Sequence, residues 1–407
     1  MAASMRWIGI GIVVLLGFSL SRSMTGSAPG NAWTLDDFED GNLKGASGVS
    51  WIVIADDLIG GATVTNLSAT TGGAGKSKHA LRLSGTLGAG KSSFAGAWLS
   101  LERSGRNLDL SAFDGVRLRV KGPAALDVGF RSGTTNFMHR VDAGKEWTLV
   151  EVPFSSLAPT GAAASGAKLN LAALQVFGVT SPQAPATDDP PARPIAFEVD
   201  DVAFYRSATD KLEPKVSGAP TGLAVVPFAP IASIPTSGWI DLGTDPEKDG
   251  RAPALPDATR LEAIPSGPGG MLWVRVTLRE TPHDRWMGMN LVLDVDGDAT
   301  NGTAWWGSNS AFKLDRNVTV WCFHVADGCQ GFIGIGIGDA AQAAGGTAGT
   351  GADRLKIAID RDRRAYVLGV PRDLLHLPGG DIRLVAAVGS ALIYADDVPG
   401  QGAAVIR

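Results

Sequence analysis

The sequence predicts an all-β chain folded as two β-sandwich domains, and three observations predict it. Short runs rich in Val, Ile, Leu, Phe and Trp recur between turn clusters along nearly the whole chain, and several alternate apolar with charged residues at the period of a strand. Glycine makes up 53 of the 407 residues and proline 23, a composition of frequent turns with little room for long helices. Behind its first residues the chain also keeps enough length for two domains, each able to bury its own core.

The opening "MAASMRWIGIGIVVLLGFSLSRSMTGSAPG" places Arg6 ahead of an apolar run from Trp7 to Leu20 and a small, polar stretch behind it. That is the shape of a secretory leader over residues 1–28, and it predicts export to the periplasm, the cell surface or the exterior. The run is short for a membrane span of ~20 residues, and the alternative is an uncleaved N-terminal anchor. Without the leader, the expected protein has no membrane partner.

From Trp33 to Tyr205 the runs "SWIVIADD", "HALRLSG", "AGAWLSLE", "FDGVRLRVKG", "ALDVGFRSG", "EWTLVEVPF", "LAALQVFGV" and "IAFEVDDVAFY" set out a first sandwich over residues 33–206. In Val116-Arg117-Leu118-Arg119-Val120 the Val and Leu side chains share a core face and the arginines the other. Trp147, alternating with Leu149 and Glu151, is assigned to the core. The segment from Leu212 to Gly238, Pro/Ala/Gly-rich and nearly uncharged, marks residues 207–238 as the expected linker. Residues 239–407 repeat the pattern in "MLWVRVTLRE", "WMGMNLVLDVDGD", "NVTVWCFHV", "GFIGIGIGD", "LKIAIDRD", "AYVLGVP" and "DIRLVAAVGS", a second sandwich.

A formal net charge of −5 gives nucleic acid no electrostatic footprint, so that partner is not expected. "GTLGAGKSSF" (Gly85–Phe94) fits the phosphate-binding pattern G-x-x-x-x-G-K-S, with "FEVDD" imitating the acidic strand that holds magnesium. Such a loop must open a helix of several turns, whereas "SFAGAWLSLERSG" follows with an immediate glycine. A solvated hairpin loop and no bound nucleotide are expected.

Cys322 and Cys329, the only cysteines, flank a turn-like "ADG" and are expected to bridge as a hairpin clip in an oxidising compartment, the alternative being two small buried side chains. Zinc lacks ligands there, since only His324 lies near.

The first domain resembles the complex I intermediate-associated protein family and, more loosely, the family 11 carbohydrate-binding modules, both galactose-binding-like jelly rolls. The carrying segments are "DDFEDG", "WIVIADDLIGGATVTNL", "FAGAWLSLE", "LDLSAFDGVRLRVKG", "FRSG", "EWTLVEVPFSSLAP" and "FEVDDVAFY", in family order over about 170 residues. The resemblance implies a non-catalytic binding domain whose ligand is either a carbohydrate, such as a cell-envelope glycan, or a protein partner for which the chain is a scaffold. The chain departs from glucan-binding clefts in having only three tyrosines. "LVLDVDGDATNG" and "VGSALIYADDVPGQGAAVI" carry a fainter likeness of the second domain to family 9 carbohydrate-binding modules.

Two sets of oxygen ligands suggest structural calcium. In "DVDGDATNG", Asp294, Asp296 and Asp298 alternate ahead of Asn301, so hard oxygens can converge on one cation, although Ala299 and Trp305 break the EF-hand pattern. The alternative is an acidic turn capping backbone N–H groups. In the first domain the resemblance to calcium-bearing jelly rolls implies that "DFEDG" and "VDD" lie side by side, so that Glu39, Asp40, Asp200 and Asp201 share a cation. The alternative there pairs Asp200 or Asp201 with a basic side chain.

For ligand contact the candidates on loops and the concave face are Trp51, Trp98, Arg131, Asn136, Phe137 and His139, with Trp305 and Trp306 in the second domain. An indole can stack on the apolar face of a sugar ring, and a guanidinium can bond vicinal hydroxyls twice. Core tryptophans are the alternative for the 305–306 pair. No nucleophile motif stands beside any of the five histidines, and no two of the 41 acidic residues are singled out as a glycosidase pair, so no catalytic residue is assigned.

Overall fold

The computed structural model describes residues 32–406 apart from 47, 104–105, 123–124, 134, 161–165, 184–187, 208–212, 218–223, 227, 251–253, 283–285, 299–301, 306, 308, 310, 323–328, 336–351, 376–380 and 392. The leader, Asn301, Trp306 and His324 therefore lie outside the described residues. No helix among those described is long and apolar enough to cross a membrane. The chain divides into two units, Met1–Asp56 with Ala62–Ala219, and Asp57–Gly61 with Pro220–Arg407. Each is a β-sandwich.

The first unit runs through β1 (Ala32–Asp36), β2 (Ile52–Ala55), β3 (Val64–Thr71), β4 (His79–Leu87), β5 (Ala95–Ser100), β6 (Glu102–Arg103) and β7 (Arg106–Asp109). It continues with β8 (Gly115–Lys121), β9 (Leu126–Ser132), β10 (Thr135–Val141), β11 (Thr148–Pro153), β12 (Ala158–Pro159), β13 (Val176–Thr180), β14 (Arg193–Tyr205) and β15 (Lys215–Ser217). Among the described residues one sheet has the order β11-β8-β14-β4-β3, with β1 also on β14, and the other β12-β10-β9-β13-β5-β2. This is the jelly roll that the sequence predicts. Val116, Leu118 and Val120 of β8 are fully buried while the residues between them face outward. The core is aromatic, with Phe130 5.2 Å from Phe177 and 5.5 Å edge-on from Phe154. Trp147 lies outside it: β11 is an edge strand with an exposed face, and the indole is half-buried beneath Lys121 Nζ, 5.7 Å from its centroid.

"GTLGAGKSSF" spans the end of β4 and the loop that leads into β5. These strands belong to different sheets, so the segment arches across the sandwich instead of closing a hairpin, and Lys91 opens no helix. The Ser93 hydroxyl sits 2.6 Å from the Gly88 carbonyl oxygen and 2.7 Å from that of Gly90, which turns carbonyls inward where a phosphate cradle needs N–H groups.

The second unit comprises β16 (Ala224–Val226), β17 (Ile240–Thr244), β18 (Ala258–Gly267), β19 (Met271–Leu278), β20 (Met287–Asp294), β21 (Thr303–Ala304), β22 (Lys313–Leu314) and β23 (Arg316–Cys322). It closes with β24 (Cys329–Ile335), β25 (Lys356–Asp360), β26 (Ala365–Pro371), β27 (Ile382–Gly389), β28 (Tyr394–Val398) and β29 (Ala404–Ile406). One sheet has the order β16-β24-β23-β20-β27-β28, with β29 on β27, and the other β17-β18-β19-β26-β25. Every residue of β20 is buried, because Met287, Met289, Leu291 and Leu293 face the main core while Val292 faces a second, smaller one. Trp305 fills that smaller core with Phe312 and Leu314.

The Pro/Ala/Gly-rich segment is not free of structure: β15 pairs with β7 of the first unit and β16 with β24 of the second. β23 and β24 run antiparallel with Trp321 opposite Gln330, so Cys322 and Cys329 adjoin at one end of the pair. Cys322 is buried and disulfide-bonded, and the Cys329 side chain lies outside the described residues.

Candidate functional site

The two six-stranded sheets of the first unit present different outer faces. On the β8-β14-β4 side, cross-strand register puts Glu198 between Arg82 and Lys121, 2.9 and 3.2 Å away, and Arg119 holds Asp201 at 3.0 Å. That face is a lattice of ion pairs.

The other face is built differently. The two-residue period sends Trp98 of β5, Gly178 and Thr180 of β13, Gly129 and Arg131 of β9, and Asn136, Met138 and Arg140 of β10 outward. Register aligns them in rows: Asn136, Arg131 and Val176 in one, then Met138, Gly129, Gly178 and Trp98, then Arg140, Asp127 and Thr180. Two adjacent glycines floor the middle row, and Trp98 and Met138 settle over them beside Arg131 and Asn136, leaving only a shallow trough. Both are closely overlaid: a Cβ at Gly129 would stand 2.5 Å from Met138 Sδ, and one at Gly178 would stand 2.7 Å from Trp98 Cδ1. Trp98 therefore lies across Gly178, pinned by its Nε1 donating to Thr180 Oγ1 at 3.0 Å. Arg131 Nε donates to the Gly133 carbonyl at 3.2 Å, and Arg140 is paired with Asp127 at 2.9 Å. An indole edge and face, a thioether and polar groups on either side suit a ligand with an apolar ring face and hydroxyl rims.

Of the ligand candidates read from sequence, the structure brings Trp98, Arg131 and Asn136 together. Trp51, Phe137 and Trp305 require correction, being 1, 2 and 1% exposed. Phe137 alternates with the trough residues and points into the core. Trp51 packs against Phe38 and Phe177 and donates its Nε1 to Asp36 Oδ2 at 2.8 Å. Trp305 does the same in the second unit, donating to Asp397 Oδ2 at 2.9 Å. His139 shares the inward parity of Phe137 and is half-buried, with Nδ1 3.3 Å from the Ser156 carbonyl. The contributions of Gly129, Gly178 and Met138 were not read from sequence, since a glycine becomes a groove only once its cross-strand neighbours are known.

Burial raises the Asp36 carboxyl to about 7, opposed by its bonds from Phe38 N and Trp51. A raised folded pKa means that the folded state holds the proton more tightly, so this contribution to stability is fully present below about 3.8 and is lost as pH rises through about 7. The denaturation midpoint of the first unit is expected to fall across that window, and Asp36→Asn to flatten the fall. An unchanged slope in the variant would contradict the assignment.

The four-carboxylate set of the first unit does not assemble. Glu39 Oε1 accepts from the Ser77 hydroxyl at 2.6 Å and Lys78 N at 2.7 Å, and Asp200 Oδ2 accepts from Ala74 N at 2.7 Å. Glu39 and Asp200 thus anchor one loop through N–H and O–H donors. Asp40 caps Asn42 N, and Asp201, at a bulge with φ +51°, turns to Arg119. In the second unit Asp294 and Asp296 do approach one another, but with Asp315 as the third carboxylate in place of exposed Asp298. Asp294 Oδ1 accepts from Gly297 N at 2.7 Å and Oδ2 from Arg383 at 3.0 Å. Burial raises the Asp315 carboxyl, with Asp296 and Asp294 adding to it. Asp315 was missed because it lies a strand away; its nearness follows from the pairing of Leu293 with Arg316.

Residues 37–189, under half of the chain, match the model of the Complex I intermediate-associated protein 30 family. Among solved structures, the chain is similar to the family 11 carbohydrate-binding module of a cellulosomal cellulase of Clostridium thermocellum, at 17% identity and TM-score 0.33 over 44% of this chain and 97% of that one. A Clostridium thermocellum family 11 module in complex with a β-1,3-1,4-mixed-linked tetrasaccharide is similar at 18% identity and TM-score 0.33, over 45% of this chain and 100% of that one. No curated protein gives a significant match.

Proposed function

We infer that the chain is an exported, non-catalytic binding protein whose first sandwich holds a carbohydrate chain along the trough between Trp98 and Met138. One observation carries this reading: on an outer sheet face Trp98 and Met138 lie flat over adjacent glycines at 178 and 129, presenting an indole and a thioether beside Arg131 and Asn136, which are within reach of ring hydroxyls. The mixed-linked tetrasaccharide bound by one similar module is the probe of first choice. Export rests on the leader. Calcium at Asp294, Asp296 and Asp315 belongs to the same reading as a loop brace, with Arg383 sharing Asp294.

A second reading, a scaffold for a protein partner, is favoured by the match of residues 37–189 to a family named for association with a complex I intermediate. It is also favoured by the packing of Trp51 and Trp305 in cores. A glycan array separates the two. Retention on β-linked glucans or envelope glycans, competed by the free oligosaccharide, supports the carbohydrate reading; a blank array from folded protein overturns it.

A further inference from the structure

The second unit contains a group of carboxylates that neither the proposed binding face nor the Asp294 loop uses. Asp245 follows β17, Asp249 lies in the next turn, Asp257 immediately precedes β18, and Asp396 is in β28. The first three therefore belong to one sheet of the sandwich and the last to the other. Asp245, Asp249 and Asp396 each bring a ligand atom within 4.8 Å of the others. Two oxygens on opposite sides of a calcium ion are separated by at most ~5 Å, given Ca–O distances of ~2.3–2.6 Å.

Proximity alone would be an acidic surface, but all of this group except Asp249 is buried. Asp245 is 8% exposed, Asp257 3% and Asp396 4%. Asp245 Oδ1 accepts from Gly400 N, yet its Oδ2 is enclosed with no hydrogen-bond partner. Asp257 repeats the pattern: Oδ2 accepts from Lys248 N and faces Arg279, while Oδ1 is enclosed and unpartnered. A Cβ on Gly250 would stand 3.6 Å from that orphaned Oδ1 and 3.7 Å from the Ala395 carbonyl oxygen, so a glycine leaves space where these oxygens face inward. Buried carboxylate oxygens without donors are costly, and like charges held together add to the cost. Burial, reinforced by the neighbouring aspartates, pushes Asp245 up to about 6 and Asp396 to about 7. No described ion pair engages Asp245, Asp249 or Asp396.

We propose that Asp245, Asp249 and Asp396, with Asp257 Oδ1 behind them, form a calcium site that ties together the two sheets of the second sandwich. An all-oxygen donor set without histidine or cysteine selects a hard cation over zinc, and ligands from two sheets and a turn suit the irregular shell of calcium better than the tight octahedron of magnesium. The hydrogen bonds from Ala258 N to Asp396 Oδ2 and from Gly400 N to Asp245 Oδ1 already cross between the sheets and hold the carboxylates in place before the ion arrives.

The test uses the full chain stripped with chelator, as wild type and as Asp245→Asn, Asp249→Asn and Asp296→Asn. Calcium binding is measured by equilibrium dialysis, and melting temperature in chelator and in excess calcium. Asp245→Asn and Asp249→Asn are expected to lose one bound calcium per chain, or to weaken it at least about tenfold, whereas Asp296→Asn, which removes a ligand of the separate Asp294 loop, leaves this calcium in place, so that Asp245→Asn combined with Asp296→Asn binds less calcium than Asp296→Asn alone. Asp245→Asn should also reverse sign, melting at or above wild type in chelator, where it removes a repelling charge, and below wild type in calcium. Asp249 is exposed, so its variant reports on binding even if Asp245→Asn folds poorly. Unchanged stoichiometry and affinity in both Asp245 and Asp249 variants, or a loss confined to Asp296→Asn, overturns the proposal.

Discussion

Trp51→Ala is expected to lower the stability of the first sandwich by ~3–5 kcal/mol, the usual cost of emptying a large aromatic site in a core. Trp51 is 1% exposed and wedged between Phe38 and Phe177, each with its ring centroid 5.8 Å away. Removing the indole leaves a cavity and also takes the donor from Asp36 Oδ2, a buried acceptor whose loss of partner costs a further ~1–3 kcal/mol. Trp51→Phe separates the two effects, because it refills most of the volume and still strands the carboxylate. It should fall between wild type and Trp51→Ala in denaturant midpoint, with the Asp36 titration displaced further upward by the lost hydrogen bond. If both variants keep wild-type midpoints but lose a ligand, Trp51 is a binding platform and its placement in the core is wrong.

The contrast between Trp51 and Trp98 shows where the sequence stops being legible. Both sit in short apolar runs that fit a strand, and strand periodicity reads well here: the β8 alternation predicted its buried and outward positions residue by residue. Periodicity divides a strand into two faces without stating which one is inside. For Arg117 and Arg119 the charge decides, whereas an indole is at home on either face. The decision comes from register: β5 sets Trp98 opposite Gly178, leaving it a bed on the outer face. Trp51 lies one residue before β2 and beside a buried aspartate 15 positions earlier in the chain. The glycine-lysine-serine segment was readable because its helix would have had to follow at once. Asp315 and Asp396 were not, because each meets its neighbouring carboxylates only through strand pairing or packing between sheets.

Gly178→Ala should abolish carbohydrate retention almost as completely as Trp98→Ala, although the first adds a methyl and the second removes an indole. A Cβ at Gly178 would lie 2.7 Å from Trp98 Cδ1 and 2.8 Å from its Nε1, inside van der Waals contact, so the ring must lift from its bed and give up the bond to Thr180. The displaced indole then no longer offers the flat surface that it presents when seated on Gly178. A tenfold loss of affinity corresponds to ~1.4 kcal/mol, within reach of one misplaced stacking surface, and each variant should lose at least that much on whichever carbohydrate retains the wild type. Neither should approach the instability of Trp51→Ala, since Trp98 is only half-buried and no core volume is emptied. Affinity electrophoresis of the two variants beside Trp51→Phe makes the comparison. Wild-type retention in both Gly178→Ala and Trp98→Ala would remove the trough from consideration, whereas loss in both with near-native melting temperatures ties recognition to the pose of one indole over one glycine.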